Sequence, residues 1–356
     1  MTAASATEVE GVAVRRRTVR PVVLASALLA AFALAWILFL SSQSAVKQPA
    51  QFIAALLDGL TLAGLYFLVA SGFTLVFGLM RVVNLAHGSF FLLGGYIALQ
   101  LQREWVGQGG GFGLTSADVD LFGGWLLPLV VATVIVAGVG LLVQQVLLRW
   151  NQGDELRQVL ITIAISIIAA DQMLAHFGGI AEDVAWPRQL DHSVTIPLTH
   201  LRYSTTRLFI LALASVVGVA LWLWLTRTRM GAIIRAGVDD RQMVSALGIN
   251  IQLAFAVAFL VGAALAAMDG VVGGSFASLA PGVDAQWLLN SLVVVVIGGM
   301  GSLPGAALGA LLYGLAGSFA ATYLPAGYTY YSVIVTFVLL ALVLAARPYG
   351  IFGRPA

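Results

Sequence analysis

The chain has 356 residues, of which 60% are hydrophobic and only 10% charged, with a formal net charge of +2. Soluble domains carry about 25% charged residues, so this composition excludes a soluble enzyme and is far too apolar for a disordered chain. Cysteine is absent, the single lysine (Lys47, in SAVKQPA) follows no glycine-rich turn, and the net charge is small. Disulfides, thiolate chemistry, a Walker A site and nucleic-acid binding are thereby excluded.

A membrane-spanning helix needs about 20 apolar residues. In chain order the candidates are 21–41, 58–80, 85–102, 122–148, 157–178, 207–226, 251–272, 286–299, 305–324 and 329–346. The expected fold class is an all-α polytopic membrane protein with about ten membrane-embedded helices. Half-helix or re-entrant elements are expected among them, because 286–299 is short and could form one unit with 305–324. Residues 1–20 read as a basic tail, 21–50 as an extra span with a short outer loop, 51–353 as the membrane body and 354–356 as a tail. RRRTVR before the first apolar run also resembles a secretory signal, but the run is longer than a signal's apolar core, which favours a retained helix.

Arginine placement sets the orientation. With the N-terminus inside, Arg15, Arg16, Arg17, Arg20, Arg81, Arg149, Arg157, Arg227, Arg229, Arg235, Arg241, Arg347 and Arg354 fall on the cytoplasmic side. Lys47, Arg103, Arg188, Arg202 and Arg207 fall outside, and both termini are cytoplasmic. The outer segment 103–121 is a glycine-rich loop; the outer segment 179–206, with Pro187 and Pro197, is too short to be a ligand-binding domain.

A charge inside a bilayer is a functional candidate by default. Asp58 and Asp269 read as hydrated helix ends, whereas Asp171 is placed to pair with His176 or to face a water-filled vestibule. No acid or base reads as lying at mid-depth, which argues against a proton- or sodium-coupled carrier. Gly64, Ser71 and Gly78, with Thr74 adjoining, and Gly301, Gly305 and Gly309 beside Pro304 form small-residue stripes, suited to helix packing or to a pore wall. In RVVNLAHGSFFLLGGY (81–96), Asn84, Gly88, Phe91 and Gly95 share one helical face, with His87 beside them. Two readings stand there: a cap at Asn84 with a hydrogen-bonded buried His87, or a functional lining. No second histidine or carboxylate sits at metal-ligand spacing.

The inner loop 227–250 contains VDDRQMVSALG. Asp239 is expected to cap a short helix over 239–247, Gln242 to complete a capping box and Gly248 to stop it. Met243, Val244 and Leu247 make an apolar stripe. Such a helix lies in the membrane interface or docks a cytoplasmic partner, and the abrupt caps fit docking better.

Three stretches together resemble the membrane permeases of ABC importers for branched-chain amino acids. VVNLAHGSFFLLGGYIA is similar to that family's second-span signature, RAGVDDRQMVSALGIN to its coupling loop, and VIGGMGSLPGAALGALLYG with RPYGIFG to its C-terminal third. The likeness runs from about Gln51 to Gly353 and is to the shorter of two paired permeases. It implies a permease subunit of the bacterial inner membrane that holds no cofactor or catalytic residue. A second permease, two cytoplasmic ATPase subunits and a periplasmic binding protein would be its partners, with membrane lipid around it. It also implies a translocation path at Ser71, Thr74, Asn84, His87, Phe91 and Asn290. ATPase coupling would fall to Arg235, Asp239, Asp240, Arg241, Met243, Leu247 and Gly248. Relatives with the same motifs import urea, amides or other amino acids, and a stand-alone carrier or channel is the competing class. Residues 1–50, the pair Gln144 and Gln145, and the acid Asp269 depart from the family's pattern.

Overall fold

The computed structural model describes residues 48–80, 83–106, 119–151, 153–196, 201–325 and 327–353. The expected tails 1–20 and 354–356, the span 21–41 and most of the glycine-rich loop lie outside the described residues.

Helix α1 (Pro49–Met80) is followed by α2 (His87–Trp105), α3 (Leu121–Asn151), α4 (Glu155–Phe177) and α5 (Thr205–Arg227). Two short helices come next, α6 (Arg229–Asp239) and α7 (Arg241–Ala246). The chain closes with α8 (Ile251–Phe276), α9 (Val283–Gly298), α10 (Leu303–Tyr323) and α11 (Ser332–Ala346). Among the described residues, six helices (α1, α3, α4, α5, α8 and α10) are long and apolar enough to cross a membrane, and α9 and α11 are shorter apolar helices. The protein is thus an all-α polytopic membrane protein; of the ten expected embedded segments, 21–41 lies outside the described residues, and among the described ones six rather than nine are long and apolar enough to cross a membrane. Helix α2 falls outside that set because its last turns carry Gln100, Gln102, Arg103 and Glu104. The segment 179–206, read as too short for a ligand-binding domain, holds a small antiparallel hairpin, β1 (Ser193–Ile196) and β2 (Leu201–Ser204), with Ser193 opposite Ser204.

Local chemistry sets the helix ends. Asp120 accepts from the backbone N–H groups of Phe122, Gly123 and Gly124 and so caps α3. Those bonds, the one from Gly123 foremost, hold its carboxyl below the usual range. Both ends of α3 widen into π-helical turns, Leu121–Leu126 and Val143–Leu148.

Helix α8 is the centre of the fold, packed by α1, α2 and α3. It can be approached closely because its facing residues are small: a Cβ on Gly270 would run into the carbonyl oxygen of Phe91. Ala263, Ala266 and Ala267 continue that buried face. Helix α4 is the opposite case. Only Gln158, Thr162 and Met173 are buried along it, while Leu160, Ile167 and Ile168 are exposed. An apolar helix so thinly covered by its own chain must meet lipid or another subunit.

Candidate functional site

Two places in the fold break the rule that membrane-embedded backbone is helical. After α1 the chain turns back, and α2 starts at His87, whose Nε2 lies 3.0 Å from the carbonyl oxygen of Val69. Val69 is 11 residues before the end of α1, or about 16 Å along the axis. Helix α2 therefore begins deep beside the middle of α1. In the described part of the link, two backbone groups are satisfied locally. The N–H of Ala86 donates to Asn84 Oδ1 at 3.1 Å, and that of Leu85 to Thr162 Oγ1 of α4 at 3.3 Å. His87 is buried and its ring meets Phe73 edge-on at 5.6 Å. Of the two sequence readings, this geometry gives Asn84 a turn-forming role and His87 a hydrogen-bonded burial.

The second break follows α8. Residues 277–282 lead to α9, whose first turn reaches the start of α2: a Cβ on Gly88 would collide with the carbonyl oxygen of Asp284. Helices α1 and α8 run antiparallel, with Gly262 against Gly72 and Asp269 in electrostatic reach of Tyr66. The two breaks thus enter from opposite ends, and the helices that follow them begin side by side. Interrupted helices in opposed halves of a chain mark the substrate sites of many transporters. The strap 182–185 covers the second break: Glu182 and Leu279 exchange backbone bonds of 2.9 and 2.7 Å, and Val184 N–H donates to Gly274 at 3.1 Å. Arg103 pairs with Glu182, and Gln102 bonds Gly124 and Ala185, so the end of α2 holds that strap in place.

Where the breaks meet, an aromatic cluster forms. Phe91 stacks on Trp287 at 4.7 Å, Trp287 lies 5.5 Å from Tyr66, and Tyr66 meets Tyr313 edge-on at 5.0 Å. Tyr313 donates its hydroxyl to Asn290 Oδ1 at 2.9 Å. The structure therefore brings Phe91 and Asn290 into one neighbourhood. Ser71 is buried and donates to Leu68 of its own helix at 2.8 Å; Thr74 is buried and its Oγ1 has no partner among the described residues. Tyr66, Trp287 and Tyr313 were missed by sequence reasoning, because an aromatic in an apolar span gives no signal distinct from packing. The small-residue stripes resolve as close packing: Gly64 faces Ala214 of α5, Gly78 faces Gly301, and a Cβ on Gly309 would strike the carbonyl oxygen of Val294.

The three acids separate. Asp58 is about one-third exposed, pairs with Arg207 and accepts from the Tyr203 hydroxyl at 3.0 Å, so it closes a latch between α1, β2 and α5. Asp171 is exposed on α4 and makes no pair with His176, since five residues along a helix rotate the two about 140° apart. Asp269 corrects the reading of a hydrated helix end: it is 0% exposed, seven residues inside α8.

At the opposite end of the fold, a small cavity is lined by Val76, Met80, Asn84, Leu148, Gln158, Thr162 and Phe259. Next to it stand α6 and α7. The expected cap at Asp239 is corrected. Helix α6 continues through Asp239, and Asp240, with extended backbone, accepts from Gln242 and Met243 N–H at 2.9 and 3.0 Å. Packing of Gly237 against Leu79 and Ile251 keeps α6 helical to that point. Arg241 opens α7, and Gly248, at φ +76°, ends it as expected. The stripe splits: Val244 is buried, whereas Met243 and Leu247 are 59% and 71% exposed. Arg235, Asp239 and Asp240 are exposed beside them. Among the described residues no group of three or more histidines and acids could hold a metal.

Comparison with known proteins adds the lineage. The family model described as the permease component of branched-chain amino acid transport systems matches residues 55–344. The high-affinity branched-chain amino acid transport system permease protein LivH of Escherichia coli K12 is 31% identical over 320 residues, covering 87% of this chain and 98% of LivH. BraD of Pseudomonas aeruginosa, of the same description, is 30% identical over 309 residues, covering 85% and 96%. A probable branched-chain amino acid transport permease of Methanocaldococcus jannaschii is 25% identical over 304 residues, covering 82% and 89%. No solved structure gives a significant match. With most of its length inside the family model and nearly the whole of LivH aligned, the chain belongs to the family of branched-chain amino acid transport permease components.

Proposed function

We propose that this chain is the path-forming membrane subunit of an ATP-driven importer for branched-chain or related amino acids. It sits in a bacterial inner membrane with both termini in the cytoplasm. A second permease covers the exposed face of α4, two ATPase subunits bind on the cytoplasmic side, and a periplasmic binding protein delivers the solute to the outer face. ATP hydrolysis belongs to those separate subunits. The path runs past Ser71, Thr74, Asn84, His87, Phe91 and Asn290. These six side chains are apolar or weakly polar, as suits a path that must release what it admits.

The observation that carries this reading is α7. Two large apolar side chains stand exposed, Met243 on the six-residue helix and Leu247 just after its last residue, between Asp240 at one end and Gly248 at the other. Exposed apolar residues on a short capped helix with Arg235 exposed nearby suit a groove in a partner protein. This helix belongs to the segment that sequence orientation puts on the ATPase side. Leu247→Asp tests it. Leu247 touches little of its own fold, so the variant is expected to insert normally, while ATP-dependent leucine uptake by the assembled transporter falls to background. Uptake at the wild-type rate contradicts the assignment.

A further inference from the structure

Among the described residues, Asp269 is the acid that is buried with both carboxylate oxygens unpartnered. It is 0% exposed, and neither carboxylate oxygen has a hydrogen-bond partner among the described residues. A buried carboxylate in that condition costs several kcal/mol unless a cation or proton accompanies it. Its backbone has no freedom to carry it toward water, because the next residue, Gly270, lies against the Phe91 carbonyl. One helical turn on, on the same face, a Cβ at Gly273 would touch the rings of Phe91 and Trp287. Tyr66 is in electrostatic reach of Asp269 and touches Trp287. An unpartnered acid therefore lies one helical turn from the point where α8 meets the Phe91 and Trp287 rings, and within electrostatic reach of Tyr66.

An acid beside aromatic faces is the chemistry that holds an ammonium group: the carboxylate supplies charge, and the ring quadrupoles attract the cation while their faces accept alkyl groups. We propose that Asp269, with Tyr66, Phe91 and Trp287, forms a passage subsite for the primary ammonium group of the transported solute. The solute's aliphatic side chain lies along the rings. This subsite selects amino acids over isosteres lacking the amine at the permease itself, in addition to any selection by the delivering protein. The inference rests on the amino-acid importer reading above.

The test is Asp269→Asn in the complete transporter, reconstituted with its ATPases, second permease and binding protein. Radiolabelled leucine uptake, ATP hydrolysis stimulated by loaded binding protein, and thermal unfolding are measured together. Uptake should fall about tenfold or more, as expected for loss of a charge-assisted bond. Stimulated ATP hydrolysis should persist, the unfolding temperature should hold or rise, and Asp269→Glu should recover part of the uptake. Uptake by Asp269→Asn within twofold of wild type overturns the subsite, as does a loss of uptake that tracks a lowered unfolding temperature. If exchanging sodium and potassium for choline depresses wild-type uptake as much as the substitution does, the acid serves an inorganic cation and the proposal also fails. A wild-type transporter that imports no amino acid overturns the importer reading as well, which separates the two failures.

Discussion

The break after α1 and the break after α8 are built alike and closed differently. Each interrupts a long buried helix, and each leads to a second helix that starts at depth, with Gly88 of α2 against Asp284 of α9. Around the first, each polar side chain has at least one protein partner: His87 Nε2 meets the Val69 carbonyl, Asn84 Oδ1 holds Ala86, and Thr162 holds Leu85, although His87 Nδ1 and Asn84 Nδ2 have none among the described residues. Beside the second, Asp269 has none among the described residues. Two fully buried ionisable side chains at neighbouring depths therefore contribute with opposite sign. One is a structural bond, and the other is a stability cost that folding alone would not retain.

The comparison can be broken in three places, each read by thermal unfolding of the purified protein in detergent. The largest effect is expected where the two breaks touch. Gly88→Leu forces a side chain into the Asp284 carbonyl and should destabilise by about 3 kcal/mol; unchanged unfolding would mean that the contact is not tight. Next comes the contrast between the buried pair. His87→Leu should destabilise by about 1–3 kcal/mol through loss of its bond to Val69, whereas Asp269→Leu should stabilise by a similar amount, about 1–3 kcal/mol. Shifts of the same sign would erase the distinction drawn here. The smallest effect is expected at the latch between α1, β2 and α5. Asp58 and Arg207 are each 38% exposed, so Asp58→Asn should cost less than about 1 kcal/mol. The difference from wild type should shrink further in high salt.

What was legible in the sequence follows from the same physics. Long apolar runs announce helices, so α3, α4, α5, α8 and α10 lie close to their expected positions, while α1, expected from 58, begins at Pro49. The NLAHG stretch stood out because Asn84 and His87 are polar at the head of a span. The depth of that head was not legible, because it is set by the Val69 carbonyl on another helix. Adjacent acids hid the cap of α7: Asp239 and Asp240 have equal local propensity, and packing of Gly237 decides between them. Burial of Asp269 was hidden for a deeper reason. A helix that is apolar all round has no polar face to betray which side meets its neighbours, so a position near the end of α8 read as hydrated when it is enclosed. The splitting of the α7 stripe into buried Val244 and exposed Met243 and Leu247 also needed the fold, since only the packing of α7 beside α6 and α8 tells one side from the other.

The most direct test of the importer assignment is solute accumulation in proteoliposomes with subunits added stepwise. The account predicts that this chain with its second permease moves no leucine uphill. Accumulation should begin only when the ATPase subunits, ATP and leucine-loaded binding protein are all present. Uphill accumulation by the permease alone, without nucleotide, would contradict it.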